Sequence, residues 1–341
     1  MRRPFLLAAA VVLMPVAAAV LTARAQAPRP AADVTLWITL GDIDEIVEAD
    51  AYTFKEIRHI KTDPKPHGLA VSPDGSKLYL ASDKTGDLQV FDARKGVAEG
   101  RIHVGNDPNQ ITLTKDGRFA YVPLRADDQI AVVQLDPLKI IKKLPVAKGP
   151  HDAYTSDDGT RIYVGAQFGN GIIAIDPAAQ SVLYTIPTAD GVRPLEISPD
   201  GKTVYAALSH LIGFVVADAE TRKVTRTVEL AKLAEGVPEP YLATYTHSLM
   251  LSPDAKELWV TDCANDLVRI VRLADMKEVA QIRVGKFPHW FTMRPDNKVA
   301  FVSLWDSDAV GVIDVQTRKV IANMQFARGT GPKRITVAKK P

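Results

Sequence analysis

Hydrophobic and polar residues alternate in short runs along this chain, and proline, aspartate and glycine interrupt the runs at regular places. Val34-Thr35-Leu36-Trp37-Ile38-Thr39-Leu40 is one such run, with the period of a strand. The stretch Pro66-His67-Gly68-Leu69-Ala70-Val71-Ser72-Pro73-Asp74-Gly75 ends in the residues of a tight turn. There proline presets φ, aspartate bonds its own backbone and glycine takes the left-handed conformation. Copies return with the turn residue at Gly75, Gly117, Gly159, Gly201, Ala255 and Asn297, in steps of 42, 42, 42, 54 and 42. A repeat of this length built from strands predicts a β-propeller with one four-stranded blade per repeat. Asn297 can replace glycine in the turn, whereas Ala255 suits it poorly, so a changed turn is expected there.

A second strand follows each turn and carries an aromatic at one register: Trp37, Tyr79, Tyr121, Tyr163, Tyr205, Trp259 and Phe301. Seven aromatics so placed read as packing between blades. The run at Val34 has no opening motif before it. Shifted by one repeat it lays Trp37 on Tyr79 and Asp50 on Asp92, so residues 34–61 are the last three strands of a blade. The missing strand is at the far end, where Gly331-Pro332-Lys333-Arg334-Ile335-Thr336-Val337 matches Phe287-Pro288-His289-Trp290-Phe291-Thr292-Met293. A seventh blade made from both termini closes the ring and removes exposed sheet edges. The expected fold is therefore an all-β, seven-bladed propeller over residues 34–341.

Residues 1–25 read as a signal peptide, with Arg2 and Arg3, an apolar run from Phe5 to Leu21, and a small-residue cleavage site at Ala23-Arg24-Ala25. Arg2-Arg3-Pro4-Phe5-Leu6 also resembles a twin-arginine export motif. Residues 26–33 form a Pro/Ala linker. Cleavage after Ala25 takes away three arginines and no acid, leaving 39 basic and 40 acidic side chains, a net charge of −1. That balance points to neither nucleic acid nor a lipid surface. The expected location is periplasmic or secreted, the expected state a monomer with no membrane span after cleavage. Cys263 is the sole cysteine, so no intrachain disulfide forms and stability rests on core burial.

Six copies of P-x-x-x-x-x-S-P-D-G, several of them degenerate, resemble the YVTN-repeat propellers of exported bacterial proteins, a group related in fold to the haem-binding propeller of nitrite reductases. The resemblance covers residues 34–341. It implies the fold, and that superfold hosts binding proteins, lyases, lactonases and oxidoreductase subunits.

Function is expected eight residues before each turn marker, where the chain enters the first strand at the channel mouth. Around the ring these positions are His67, Asn109, His151, Arg193, His247, His289 and, by the terminal match, Lys333. They hold four of the chain's seven histidines, far more than scatter would place there. Inherited repeat wording and simple solvation of the mouth are the bland readings. Converging imidazoles also suit copper, zinc or iron, with His67, His151, His247 and His289 as ligands and Cys263 as a further one. Arg193 and Lys333 repel a bare dication, depress neighbouring imidazoles and favour a small anion, for which Arg193 is a bidentate clamp.

Loops on the same face add Asp83, Arg125, Gln167, Ser209, His210, Cys263 and Trp305, of which Arg125 and Trp305 are candidate ligand contacts. His59 and His103 fall on outer strands and read as surface residues. The one long step places 12 extra residues between Val228 and His247, with a helix-like Leu230 to Glu235; a lid, a partner contact and a plain loop all fit this insert, 229–246. The expected function is binding of a small anionic molecule or a periplasmic redox protein at the mouth. The alternative is a metal-dependent or histidine acid–base enzyme, an oxidoreductase, lyase or lactonase, using the same ring.

Overall fold

The computed structural model describes residues 34–339; the leader and linker read from residues 1–33 lie outside the described residues. Seven four-stranded antiparallel sheets form the seven blades. Blade 1 is Pro66–Val71, Lys77–Ser82, Asp87–Asp92 and Val97–His103. Blades 2 to 6 repeat the plan with first strands Thr112–Leu113, Pro150–Thr155, Val192–Ile197, Leu249–Leu251 and Pro288–Met293. Blade 7 joins Pro332–Lys339 to Val34–Leu40, Glu45–Asp50 and Glu56–Lys61. Its closing ladder pairs Val34 with Lys339, Leu36 with Val337 and Ile38 with Ile335. His59 and His103 lie exposed on outer strands, as expected.

The core lies between the sheets. One cluster joins Leu36 and Ile38 of blade 7 to Phe301 and Val312 of blade 6, and another joins Tyr205 and Phe214 of blade 4 to Leu249 and Val260 of blade 5. All seven register aromatics are buried, none more than 7% exposed. Strands apolar on both faces follow from this arrangement, because each central strand touches a neighbouring blade on either side.

The turns obey one chemistry. In blade 1 the Gly75 N–H donates to Ser72 O at 2.8 Å, the Ser76 N–H to Asp74 Oδ1 at 3.0 Å, and the Lys77 N–H to Ser72 Oγ at 2.9 Å. The turn at Ala255 is not altered. Ala255 adopts φ 52° and donates to Ser252 O at 2.8 Å, the same bond that Gly75 makes. The flanking Ser252 and Asp254 bonds hold it there in spite of its Cβ.

The long step also differs from expectation. No helix covers 230–235; the outer strand of blade 4 runs on through Ala231 as Lys223–Ala231, and a single 3₁₀ turn, Tyr241–Ala243, follows. A left-handed alanine costs about 1 kcal/mol that glycine avoids, less glycine's greater freedom when unfolded. Ala255→Gly is therefore expected to stabilise the protein by about 0.5 kcal/mol, read as a higher urea midpoint with an unchanged slope.

Candidate functional site

Most first strands begin with the same device. Lys65, Asp107, Gly149, Phe287 and Gly331 hold φ of 55°, 53°, 66°, 54° and 53°, each immediately before a proline. Three of them carry side chains, and such residues cost about 1–3 kcal/mol each, so the surrounding structure enforces the kink. The ladder then slips between Pro66 and Leu69, Pro150 and Ala153, Val192 and Leu195, and Pro288 and Phe291. His67, His151, Arg193 and His289 sit inside these slips, where a bulge re-aims the side chain.

These residues meet in a cavity of about 860 Å³ to which all seven blades contribute. Six of the seven ring residues line it: His67, His151, Arg193, His247, His289 and Lys333, together with Arg125, Cys263 and Trp305. Asn109 does not. It is fully buried, with its Oδ1 accepting from the Gln110 N–H.

Three of the four ring histidines are held by their Nδ1 atoms. His67 Nδ1 is 3.1 Å from Asp83 Oδ1, His151 Nδ1 is 2.9 Å from Asp152 Oδ2, and His247 Nδ1 is 3.2 Å from the His289 carbonyl oxygen. Each contact requires Nδ1–H as donor, so the neutral ring keeps its lone pair on Nε2. The His247 and His289 rings stack at 3.7 Å, and His151 meets His247 edge-on at 5.7 Å. Burial is the main force lowering His151, His247 and His289 below the ordinary imidazole range, with Arg193 adding to it at the first two and His67 and Lys333 at His289. The lowering expected from the neighbouring cations therefore has desolvation as its larger cause.

Among the described residues no three His, Cys, Asp or Glu side chains, those of His67, His151, His247, His289 and Cys263 included, come together as a group that could hold a metal ion. Cys263 is buried, donates its S–H to Pro288 O at 3.1 Å, and has its pKa pushed far up by burial, which disfavours the thiolate that a ligand or nucleophile needs. Arg125 lines the cavity and is held by Asp107, at 2.8 and 3.2 Å.

Arg193 remains a clamp candidate. It is 2% exposed, burial draws it down only to about 10, and the Gln167 amide lies 3.2 Å from its guanidinium. Lys333 lies 4.7 Å from the centre of the Trp305 ring, and the Trp305 indole N–H donates to Asp42 at 2.7 Å.

The floor is a layer that sequence reasoning missed. Arg334 of blade 7 reaches across the axis to Asp152 of blade 3 at 2.8 Å, both being 2% exposed or less, and its guanidinium carbon sits 3.1 Å from the Trp290 ring centre. Asp152 and Arg334 each follow a ring residue by one position, so the repeat register that picks out His151 and Lys333 also picks out their neighbours.

The insert contributes Pro238, Pro240, Tyr241 and Thr244 to the cavity wall. Tyr241 meets Trp305 edge-on at 5.9 Å, and Glu239 lies 3.6 Å from His210 and 3.4 Å from the Tyr245 hydroxyl.

Arg334→Met removes the cation from Asp152 and leaves the His151 N–H as its remaining partner; a loss of about 3 kcal/mol is expected, and Asp152→Asn in the same chain is expected to recover part of it, both read by urea unfolding. A second expectation concerns pH. The three lowered histidines titrate near 6.5 when unfolded and lower when folded. The unfolded chain therefore binds more protons in that window, and stability falls as pH drops below about 6.5. His247→Gln is expected to flatten the slope by up to about 1.4 kcal/mol per pH unit between about pH 5 and 6.5.

Comparison with known proteins places this geometry. Hydrazine synthase of Kuenenia stuttgartiensis is 23% identical, with a TM-score of 0.67 over 83% of this chain and 98% of that one. A functionally unknown protein from Desulfotomaculum acetoxidans is 12% identical, with a TM-score of 0.75 over 90% and 99%. The dihydro-heme d1 dehydrogenase NirN, in complex with DHE, is 15% identical, with a TM-score of 0.67 over 86% of this chain but 64% of its own length. At these identities the likeness is one of fold. No curated protein matches significantly. The profile of the YNCE-like beta-propeller matches residues 3–184, and that of the Cytochrome D1 heme domain matches residues 120–340. The chain belongs to the YNCE-like β-propeller family and, through residues 120–340, to that of the cytochrome D1 heme domain.

Proposed function

We propose that this chain is an exported propeller whose mouth binds an anionic, flat organic molecule carrying carboxylates or similar groups. One observation carries the reading: the 860 Å³ cavity has aromatic walls from blade 6 and the insert, while cations come from blades 1, 2, 4 and 7. A cavity of that size falls in the usual range for organic ligands, roughly 300–1,000 Å³, and a bare inorganic anion would leave most of it empty. Phe287, Trp305 and Tyr241 suit an unsaturated body, and Arg193 and Lys333 suit its acidic groups. Two carboxylate–histidine pairs at the same mouth, His67 with Asp83 and His151 with Asp152, support acid–base catalysis on the bound molecule as the alternative.

The family match raises a haem as the molecule, and the donor set is compatible with one. A single neutral imidazole is an ordinary axial ligand, and it requires no cluster of several metal-binding side chains. His289 is 5% exposed, and its Nδ1 has no hydrogen-bond partner among the described residues. His289 or its stacked neighbour His247 would offer the imidazole, and Arg193 and Lys333 would hold the carboxylates. Such a group supplies a redox-active iron when bound.

The test uses 8-anilinonaphthalene-1-sulfonate, a flat aromatic anion, followed by equilibrium dialysis and Trp fluorescence. Arg193→Ala and Trp305→Ala are each expected to weaken its binding by about tenfold; wild-type affinity in both variants would overturn the reading. Haemin titrated into the same proteins separates the second reading, with a shifted Soret band lost in the double variant His247→Ala/His289→Ala as the expected result.

A further inference from the structure

We propose that a groove between blades 1 and 2, on the face opposite the mouth, binds a guanidinium or alkylammonium head of the kind an arginine side chain presents. The argument comes from comparing this groove with its equivalents in the same ring. In blade after blade the residue closing the third strand turns a carbonyl towards the preceding blade. Ala51 O accepts from Arg294 Nη1 at 3.2 Å, Ala93 O from Arg58 Nη2 at 2.6 Å, Pro177 O from Tyr121 Oη at 3.1 Å, and Ala219 O from Tyr184 Oη at 3.0 Å. Four of seven equivalent carbonyls thus take a donor from the neighbouring blade, and two of those donors are guanidinium groups.

The equivalent residue in blade 2 is Leu135, and among the described residues no side chain donates to its carbonyl. The reason lies one blade back. Arg58 and Tyr184 stand at one register of the outer strand, and in blade 1 that register holds Gly100. A cavity of about 590 Å³ occupies the space, lined by Gly100, Leu135, Tyr79 and Leu138.

Carboxylates outnumber cations on its lining. Asp74, Glu99, Asp116 and Asp136 border it; Glu99 is paired with Lys77, Asp116 with Arg118 at 2.7 Å, and Asp74 accepts from the Ser72 and Ser76 hydroxyls. Asp136 has no ion pair among the described residues. Burial, then Asp74, Asp136 and Glu99, raise the Tyr79 hydroxyl, so three carboxylates act on one point within the groove. An arginine-like stem would lie against Tyr79 and Leu138, and its head would reach Leu135 O and the Asp136 carboxylate, as Arg58 reaches Ala93 O at the interface before it.

The chain offers its own control. A Cβ on Gly100 meets only Leu138 Cδ2, at 3.6 Å, an ordinary contact, and the Gly100 backbone lies outside the left-handed region. Gly100→Arg therefore places the missing group in cis. The probes are agmatine and the peptide acetyl-Ala-Ala-Arg-Ala-Ala-amide, with citrulline in place of arginine as the uncharged match, measured by calorimetry and by NMR shifts.

Saturable binding of agmatine or the arginine peptide is expected at about millimolar strength, about tenfold weaker for the citrulline peptide, and absent in Gly100→Arg, which should also melt at a higher temperature. A peptide tighter than agmatine assigns the site to a partner polypeptide, and the reverse order assigns it to a small guanidine or amine. Gly100→Leu, which fills the groove without charge, is the second blocking variant if Gly100→Arg does not fold. No saturable binding of either probe, equal binding of the citrulline peptide, or binding that survives both substitutions would overturn the proposal.

Discussion

Ring closure is the constraint on which the rest depends. Pro332–Lys339 must pair with Val34–Leu40 for blade 7 to exist, and only then does every blade have a neighbour on both sides. Because the core lies between sheets and not within any one of them, no blade buries its apolar faces alone. Closure also builds the cavity: it points the first strands inward and brings residues far apart in sequence, such as Asp152 and Arg334, into one layer.

Within that layer charge and burial are set against each other. Arg193, Lys333 and Arg334 are drawn out of water at the axis, where each is tolerated only with a partner or a polar contact. Asp83, Asp152 and Asp42 supply much of that compensation, so the mouth is a balanced set of pairs with neutral imidazoles between them, not a plain positive ring. A molecule held here would meet cations already oriented by neighbours, which lowers the cost of ordering them on binding.

The fold was legible because a repeat states it many times: the turn residues, the inter-blade aromatics and the split blade all follow from one register. The mouth was legible to the same extent, since six of the seven ring positions do face one cavity. What the pattern did not contain is pairing. Asp107 closing on Arg125, and Pro288 O accepting from Cys263, are contacts between loops of different blades, and no spacing within a repeat encodes them. Ala255 shows a related limit, since bonds from its neighbours outweigh a modest backbone preference. The insert lay outside the repeat altogether, so its helix-like composition had no register to correct it.

The departures among the ring residues have a consequence for orientation. A ring of seven identical residues would present seven equivalent azimuths to anything bound at its centre, and rotation among them would be worth RT ln 7, about 1.1 kcal/mol of entropy. With Phe287, Trp305 and Tyr241 gathered on one side and Arg193 on another, that rotational degeneracy is gone. A bound molecule would keep one edge towards blade 6 and another towards blade 4, so whatever approaches the mouth from solvent would always meet the same profile.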